Sequence, residues 1–230
     1  MEMSETLAKL AAGVDLDSDE MTALMQSIMT GEATPAQIGS ALTALRIKGE
    51  TVEEITAAAR VMRDLSSKVP VSHDEMIDTC GTGGSGVSKF NVSTASAIVI
   101  ASAGLKVAKH GNRAASGVSG SADVLESAGL RLDMSPDAVA ASIEEVGVGF
   151  LFAVNHHSAM KHAIGPRREL KFRTIFNLLG PLTNPAGAKR QVLGVFDSHW
   201  LTPMAEVLGR LGATRAMVVH SRDGLDEISP

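Results

Sequence analysis

The spacing of apolar residues changes near Pro70, and this change divides the chain into two differently built parts. Before it, apolar residues recur every three or four positions, as at Leu24, Met25 and Ile28, which is the spacing of a helix that buries one face. After it, short apolar runs alternate with helical stripes, a pattern typical of a mainly parallel sheet covered by helices. The predicted fold class is therefore α/β, with a small N-terminal helical domain and a larger α/β domain.

Capping residues mark the helix boundaries in the first part. Thr34 is followed three positions later by Gln37, the arrangement of a capping box that begins a helix. Thr51 and Glu54 repeat this arrangement. Gly31 predicts the end of the helix before Thr34, because glycine readily adopts the left-handed conformation found at helix ends. Each N-cap is worth about 1 kcal/mol, so these helix starts are well specified.

In the second part, polar residues follow the predicted strands. Asp78 ends the first strand, and Lys109 follows the second. Asn155 and His220 lie near the ends of two later strands. We expect these side chains at one edge of the sheet, where parallel sheets bind ligands. The predicted strands lie near residues 76–78, 106–108, 148–153, 191–196 and 216–220, and the predicted helices lie at 94–103, 121–128, 136–146 and 200–211.

Composition excludes several classes of protein. A net charge of −5, 3% aromatic residues and no tyrosine argue against a broad surface for nucleic acid. The sequence has no apolar run long enough to span a bilayer, so we expect no membrane partner. The single Cys80 rules out an intrachain disulfide framework and fits a cytoplasmic location.

A glycine-rich run follows the first predicted strand and precedes a helix, and it reads Gly81-Thr82-Gly83-Gly84-Ser85-Gly86. Glycines let the backbone approach phosphate oxygens, and a helix N-terminus favours an anion. The spacing also satisfies the dinucleotide fingerprint, but that fold expects an acidic residue near the end of the second strand, where this chain has Lys109. An ATP P-loop is excluded because Val87 stands where a lysine is required.

A second group suited to phosphate follows within the same βαβ unit. The segment Lys109-His110-Gly111-Asn112-Arg113 supplies cationic side chains after the next predicted strand. Two such groups in series predict a ligand with two phosphorylated ends.

Taken together, the motifs resemble those of the anthranilate phosphoribosyltransferases of tryptophan biosynthesis. The resemblance covers essentially all 230 residues. It implies a fold of the nucleoside phosphorylase and phosphoribosyltransferase type. The implied domains are a helical one of residues 1–70, completed by 158–179, and an α/β one of residues 74–230. The segments that carry the resemblance are 31–34, 46–50, 81–84, 91–94, 109–113, 119–123, 177–185 and 223–228.

The resemblance implies a glycosyltransferase of aromatic amino acid biosynthesis. It would move the 5-phosphoribosyl group of phosphoribosyl pyrophosphate to the amine of anthranilate, release pyrophosphate, and use Mg²⁺. Such a displacement needs neutralisation of the leaving group and an aligned nucleophile rather than a catalytic serine or cysteine. Lys109 would supply electrostatic stabilisation of the transition state, with no residue acting as nucleophile or base. A homodimer formed through the helical domain is also implied.

The resemblance assigns residues to three roles, and in the acceptor site it leaves open whether Arg167 or its neighbour Arg168 points inward. The phosphoribosyl pyrophosphate residues are Gly81, Thr82, Gly83, Gly84, Ser85, Asn91, Ser93, Thr94, Lys109 and Ser121, with the loop 117–120; the anthranilate residues are Gly81, His110, Asn112, His157 and Arg167; the metal residues are Ser93, Asp226 and Glu227.

Two departures from the family pattern bear on activity. Ser85 stands where the family commonly has Asp, which removes one carboxylate near the pyrophosphate. The chain also ends at Pro230, well short of the usual family length, so we expect a truncated protein with little activity.

Two other functions remain open at the sequence level. A pyrimidine nucleoside phosphorylase resembles this family in fold and has a similar glycine loop, and a non-catalytic relative would bind nucleic acid or a protein. The cluster Lys109–Arg113 and the pair Asp226 and Glu227 favour the transferase over both.

Overall fold

The computed structural model describes residues 2–71, 73–83, 90–114 and 119–229. It consists of two compact units. The helical unit comprises Met1–Ser66 and His157–Thr183, and the sheet unit comprises Ser67–His156 and Asn184–Pro230. In the described parts of the chain, no helix is long and apolar enough to cross a membrane.

The helices and strands are numbered here in chain order. The helices are α1 (Met3–Ala11), α2 (Ser18–Thr30), α3 (Pro35–Lys48), α4 (Val52–Asp64), α5 (Val92–Ser102), α6 (Ser121–Ser127), α7 (Pro136–Val146), α8 (Ala153–His156), α9 (Lys161–Leu170), α10 (Ile175–Leu179) and α11 (Leu201–Arg210). The strands are β1 (Ile77–Gly81), β2 (Val107–Gly111), β3 (Val148–Phe152), β4 (Arg190–Gly194) and β5 (Arg215–Val219).

The predicted helix caps of the helical unit are confirmed. Thr34 and Gln37 form the capping box of α3, and Thr51 with Glu54 forms that of α4. Gly31 ends α2 in the left-handed conformation, with φ of 86°. The apolar stripe of α2 is buried, including Leu24 at 2% exposure. The helical pattern of the first part therefore produces helices that bury the expected faces.

A buried ion pair joins α3 to the start of α4. The Lys48 ammonium donates to Glu54 Oε2 at 2.9 Å and to Asp15 Oδ1 at 2.7 Å. The side chain of Glu54 is fully buried, and its Oε1 accepts from the backbone N–H of Leu16 at 2.9 Å. Its Oε2 also accepts from Thr51 N as part of the capping box. One carboxylate thus begins a helix and compensates a buried cation.

We expect Glu54→Gln to lower the free energy of unfolding by about 3 kcal/mol, because removing one partner of a buried pair leaves the other charge uncompensated. The amide would also place a donor against the donors of Lys48 and Thr51. Urea denaturation would measure the change. The exposed neighbour in the same helical turn offers a matched control, Glu53→Gln, whose effect should stay below about 0.5 kcal/mol. Equal effects of the two substitutions would contradict this account.

The sheet unit contains a five-stranded parallel sheet in the order β3-β2-β1-β4-β5. Helix α7 packs on β3, and α5 packs on β1 and β2. One core cluster buries Met76, Ala108, Ile143 and Leu151. The predicted alternation of strands and helices is confirmed.

The predicted ends of the first two strands are wrong. β1 continues to Gly81 and β2 to Gly111, so Asp78 and Lys109 lie inside strands rather than at their ends. The prediction failed because polar residues interrupt the apolar pattern in both strands. These polar groups are buried and hydrogen-bonded within the sheet unit, which is why a strand can contain them.

Candidate functional site

Each of the three central strands of the sheet ends in glycine, at Gly81, Gly111 and Gly194. Gly81 and Gly194 are paired in register. A Cβ atom added at Gly194 would lie 1.9 Å from the carbonyl oxygen of Asp226, and one at Gly111 would lie 2.7 Å from Phe150 Cε2. Close contact with backbone therefore requires glycine at position 194, and a side chain at position 111 would displace the Phe150 ring.

The glycine-rich run begins at this edge. The backbone N–H of Thr82 donates to Gly194 O at 2.9 Å, and its buried hydroxyl accepts from Phe196 N at 3.0 Å. Gly83 has φ of +66°, a conformation that favours glycine. The start of the run is thus hydrogen-bonded to the last residue of β4 and to Phe196, which follows that strand. Gly84 and Ser85 lie outside the described residues, and so do Gly117 and Val118 of the second predicted loop.

The first turn of α5 follows the run and carries three of the predicted phosphate residues. Asn91 is the N-cap, and the backbone carbonyl of Ser93 accepts from Thr79 Oγ1 at 2.8 Å. The Thr94 hydroxyl is buried and has no hydrogen-bond partner among the described residues. A buried hydroxyl without a partner costs free energy, so it marks a place for a ligand or water. A helix N-terminus is also favourable for an anion.

Lys109 is buried at 2% exposure beside this turn. Its ammonium donates to the carbonyl oxygen of Thr79 at 2.6 Å and to Ser93 Oγ at 3.1 Å. Burial lowers the pKa of Lys109, while the negative charges of Asp78 and Glu227 oppose that change. An ammonium group has three N–H donors, and the described residues take up two of them, so one is left for an acceptor from outside this set.

The acidic loop, residues 221–229, approaches the same place from β5. Asp226 is buried, and its Oδ2 lies 3.4 Å from the position that a Cβ of Gly81 would occupy. Glu227 lies close enough for its charge to act on Lys109. Residues that are more than a hundred positions apart in sequence, Gly81 and Asp226, are therefore neighbours at the carboxyl edge.

The donor set at this edge fits Mg²⁺. The Asp226 carboxylate lies beside Gly81, the charge of Glu227 acts on Lys109, and Lys109 bonds to the Ser93 hydroxyl. These groups supply oxygen atoms, which are the ligands that Mg²⁺ prefers. It is commonly held by one or two carboxylates together with substrate phosphates. Across the described ranges, no group of three or more His, Cys, Asp or Glu side chains could hold a metal ion, so the fit depends on ligand oxygens.

The end of β2 places the next predicted residues. His110 is buried, whereas Asn112 is exposed and its carbonyl accepts from Ala122 N at 3.2 Å. Ser121 begins α6. Arg113 does not add its charge to the expected cationic cluster, because its guanidinium forms ion pairs with acidic side chains of α6 at 2.8 to 2.9 Å. The positive charge left in this segment is that of Lys109.

A buried hydrogen-bond network that the sequence did not reveal lies below this edge. Asp78 Oδ1 accepts from the backbone N–H of His110 at 3.1 Å, and its Oδ2 accepts from Asn184 Nδ2 at 2.8 Å. The same Asn184 amide donates to Ala108 O at 2.8 Å. Burial raises the pKa of Asp78, and the charge of Lys109 and the Asn184 bond oppose that change. Asn184 therefore joins β1 to β2 through a buried carboxylate.

We expect Asn184→Ala to destabilise the sheet unit by about 3 kcal/mol, because it removes a hydrogen bond from a buried carboxylate. Asn155→Ala is the matched control, since the Asn155 side chain is exposed and donates to the Leu132 carbonyl at 2.6 Å. Its effect should be below about 1 kcal/mol. Urea denaturation followed by circular dichroism measures both changes, and a larger loss in the control would refute the role given to Asn184.

The other two predicted acceptor residues belong to the helical unit. His157 is buried, and Arg167 lies on α9 with its guanidinium carbon 5.0 Å from the centre of the Phe176 ring. Burial lowers the pKa of Arg167. Arg168 is exposed. Of the two neighbouring arginines, Arg167 is therefore the one that packs into its unit.

Comparison with known proteins identifies the class. Two family models match the chain: the helical bundle domain of the glycosyl transferase family at residues 4–66 and its a/b domain at residues 73–230. The chain belongs to the glycosyl transferase family.

Relatives with high identity are anthranilate phosphoribosyltransferases. That of Thioalkalivibrio sulfidiphilus is 63% identical over 229 residues, which cover 100% of this chain and 68% of the relative. That of Cellvibrio japonicus is 62% identical over 229 residues, covering 100% of this chain and 67% of the relative. The resemblance noted in the sequence is therefore confirmed, and the chain spans about two thirds of its relatives' length.

Solved structures agree. Anthranilate phosphoribosyltransferase of Thermus thermophilus superposes with a TM-score of 0.92 at 49% identity, over 97% of this chain and 67% of that one. The enzyme of Saccharomyces cerevisiae, in complex with phosphoribosyl pyrophosphate and Mg, gives a TM-score of 0.90 at 29% identity, over 99% and 68%. A further structure of the yeast enzyme contains 4-fluoroanthranilate, with a TM-score of 0.85 at 28% identity, over 99% and 66%. These likenesses confirm the predicted fold class.

Proposed function

We propose that this chain transfers the 5-phosphoribosyl group of phosphoribosyl pyrophosphate to the amine of anthranilate, with release of pyrophosphate, in tryptophan biosynthesis. The observation that carries the proposal is the meeting of Lys109, the first turn of α5 and the acidic loop at a glycine-lined sheet edge. Its relatives bear the name of this activity. Solved yeast relatives are complexes with phosphoribosyl pyrophosphate and Mg, and with 4-fluoroanthranilate.

The reaction is a displacement at the anomeric carbon. The lone pair of the amine nitrogen forms the new bond to this carbon while the bond to the pyrophosphate oxygen breaks, and the nitrogen then releases a proton to water. Positive charge develops on the sugar and negative charge on the departing pyrophosphate. Lys109 and the N–H groups at the start of α5, which lie together in the structure, would face that negative charge. Fixed charges and donors of this kind usually make the largest contribution to the rate.

Binding is divided among the predicted residues. Backbone groups from Gly81 to Gly83, with Asn91 and Thr94, would hold the pyrophosphate, joined by Gly84, Ser85 and Ser121. Ser93, Asp226 and Glu227 would hold Mg²⁺, which when bound would neutralise charge on the pyrophosphate. His110, Asn112, His157 and Arg167 would bind anthranilate, the arginine pairing with its carboxylate.

We expect Lys109→Gln to lower kcat by about 10²- to 10³-fold, because it removes a fixed positive charge from the position where negative charge develops. The rate is measured as loss of anthranilate in the presence of phosphoribosyl pyrophosphate and Mg²⁺. Lys106→Gln is the control, since Lys106 lies just before the same strand and its ammonium donates to Glu144 O. Similar rates for the two variants would contradict the assigned role of Lys109.

Calorimetry distinguishes the proposed function from the phosphorylase. A transferase should bind phosphoribosyl pyrophosphate with an affinity that rises when Mg²⁺ is added, whereas a pyrimidine nucleoside phosphorylase would bind inorganic phosphate and a nucleoside. Binding of phosphate and nucleoside without metal-dependent binding of phosphoribosyl pyrophosphate would overturn the proposal.

We also propose that the helical unit forms a homodimer and that the enzyme works in the cytoplasm, which fits its one cysteine. A groove of about 800 Å³ crosses α1, α3 and α9 and is lined mainly by small and apolar side chains, among them Gly39, Ala44 and Pro166. Ile47 borders it with 81% of its surface exposed. An open apolar surface of this kind suits a second copy of the same helices.

We expect sedimentation analysis to give a dimer for the wild-type chain and a monomer for Ile47→Asp, because a carboxylate at the groove would be desolvated on association. Val146→Asp is the matched control, since Val146 is an exposed apolar residue of the sheet unit. It should leave the dimer intact. A monomeric wild-type protein, or dimers in both variants, would contradict the proposed interface.

A further inference from the structure

The acidic loop is closed on itself by one serine. Ser221 lies two residues after β5, at the start of the loop. Its hydroxyl donates to the carbonyl oxygen of Glu227 at 2.5 Å and accepts from the backbone N–H of Ser229 at 2.9 Å. Its own backbone N–H donates to Leu225 O at 2.7 Å. Ser221 thus holds the backbone on both sides of Asp226, at Leu225 and at Glu227.

A second residue of the loop, Asp223, also bonds to its far end. Asp223 Oδ1 accepts from Leu225 N at 3.1 Å, and its Oδ2 accepts from the Ser229 hydroxyl at 2.7 Å. Asp223 therefore supports the loop from within, but its bonds do not reach Glu227. The Glu227 carbonyl accepts instead from the Ser221 hydroxyl.

The loop contacts the sheet edge through Asp226. The space that a Cβ of Gly194 would need is taken by Asp226 O, at 1.9 Å. The Asp226 carboxylate then lies over Gly81, at 3.4 Å from the Cβ position of that glycine. The Asp226 carboxylate comes from the loop backbone that Ser221 holds, so its direction at the edge depends on the conformation of the loop.

We propose that Ser221 is a positioning residue that directs the carboxylates of Asp226 and Glu227 toward the carboxyl end of β1, where they would hold the cation of the proposed substrate complex. This inference rests on the proposed function, because it concerns the metal-dependent binding of the same substrate. Ser221 does not itself touch substrate or cation in this account. It acts through the carbonyl of Glu227 and the N–H of Ser229.

We expect removal of the Ser221 hydroxyl to reduce the order of the acidic loop without changing the overall stability of the sheet unit. Ser221→Ala leaves the Glu227 carbonyl and the Ser229 N–H to bond with water, which a loop near the protein surface can accept. The five strands and their core residues are not touched by this change. We therefore expect a folded protein whose acidic loop samples several arrangements and must be ordered when ligand binds.

The test compares Ser221→Ala with two other variants. Ser221→Thr retains the hydroxyl and should behave like the wild type. Ser135→Ala is the matched control in the same unit, because Ser135 caps α7 through a bond to Ala138 N and lies on a different element from the acidic loop. The probe is phosphoribosyl pyrophosphate titrated by calorimetry at a series of Mg²⁺ concentrations. Amide hydrogen exchange of residues 222–229 without ligand is the second readout.

We expect Ser221→Ala to weaken Mg²⁺-dependent binding about tenfold, which corresponds to about 1.4 kcal/mol, and to speed exchange in the loop. Ser221→Thr and Ser135→Ala should keep the wild-type affinity and loop exchange. Wild-type affinity in Ser221→Ala, or an equal loss in Ser135→Ala, would overturn this inference alone. Failure of the wild-type chain to bind the probe at any Mg²⁺ concentration would overturn the proposed function and this inference with it.

Discussion

The buried ammonium of Lys109 is the interaction on which the sheet edge depends. It comes from β2, bonds to a carbonyl of β1 and reaches the first turn of α5, so three elements share one cation. Burying an unpaired ammonium would cost several kcal/mol. Here a carbonyl oxygen, a hydroxyl oxygen and nearby carboxylates reduce that cost. The buried cation of this edge is therefore also the group that joins α5 to the strands.

The groups that offset the burial of the Lys109 charge lie on both faces of the sheet. Successive side chains of a strand point to opposite faces, so Asp78 lies on the face opposite to Thr79, which packs with Lys109 and α5. The Asp78 carboxylate is satisfied by Asn184 and by a backbone N–H of β2. Its charge still acts on Lys109. A residue that touches no predicted ligand thereby helps to set the electrostatics of the edge.

Local rules predicted the helices better than the strand ends. Thr34 and Thr51 begin helices because each cap needs partners only three residues away. The ends of β1 and β2 were misplaced because Asp78 and Lys109 look like loop residues until their partners are known. Those partners are distant in sequence: Asn184 is 106 positions from Asp78. Asn184 lies in a motif that marked the family but gave no sign of this contact, and Ser221 had no signal at all. Phosphate-binding residues could be predicted from the sequence because a glycine run and a following helix are local features.

The position of the acidic loop connects ligand binding with the pairing of the last strand of the sheet. The loop leaves β5, the last strand in the sheet order, and it lies on the end of β4. β5 must therefore be paired with β4 before the two carboxylates can reach their place. By mass action, a ligand that binds only this arrangement stabilises it by an amount that grows with the logarithm of ligand concentration. A cation and a pyrophosphate bound at β1 would thus stabilise the pairing of β5, which lies two strands away in the sheet. The fraction of molecules with β5 in place would then rise with substrate concentration.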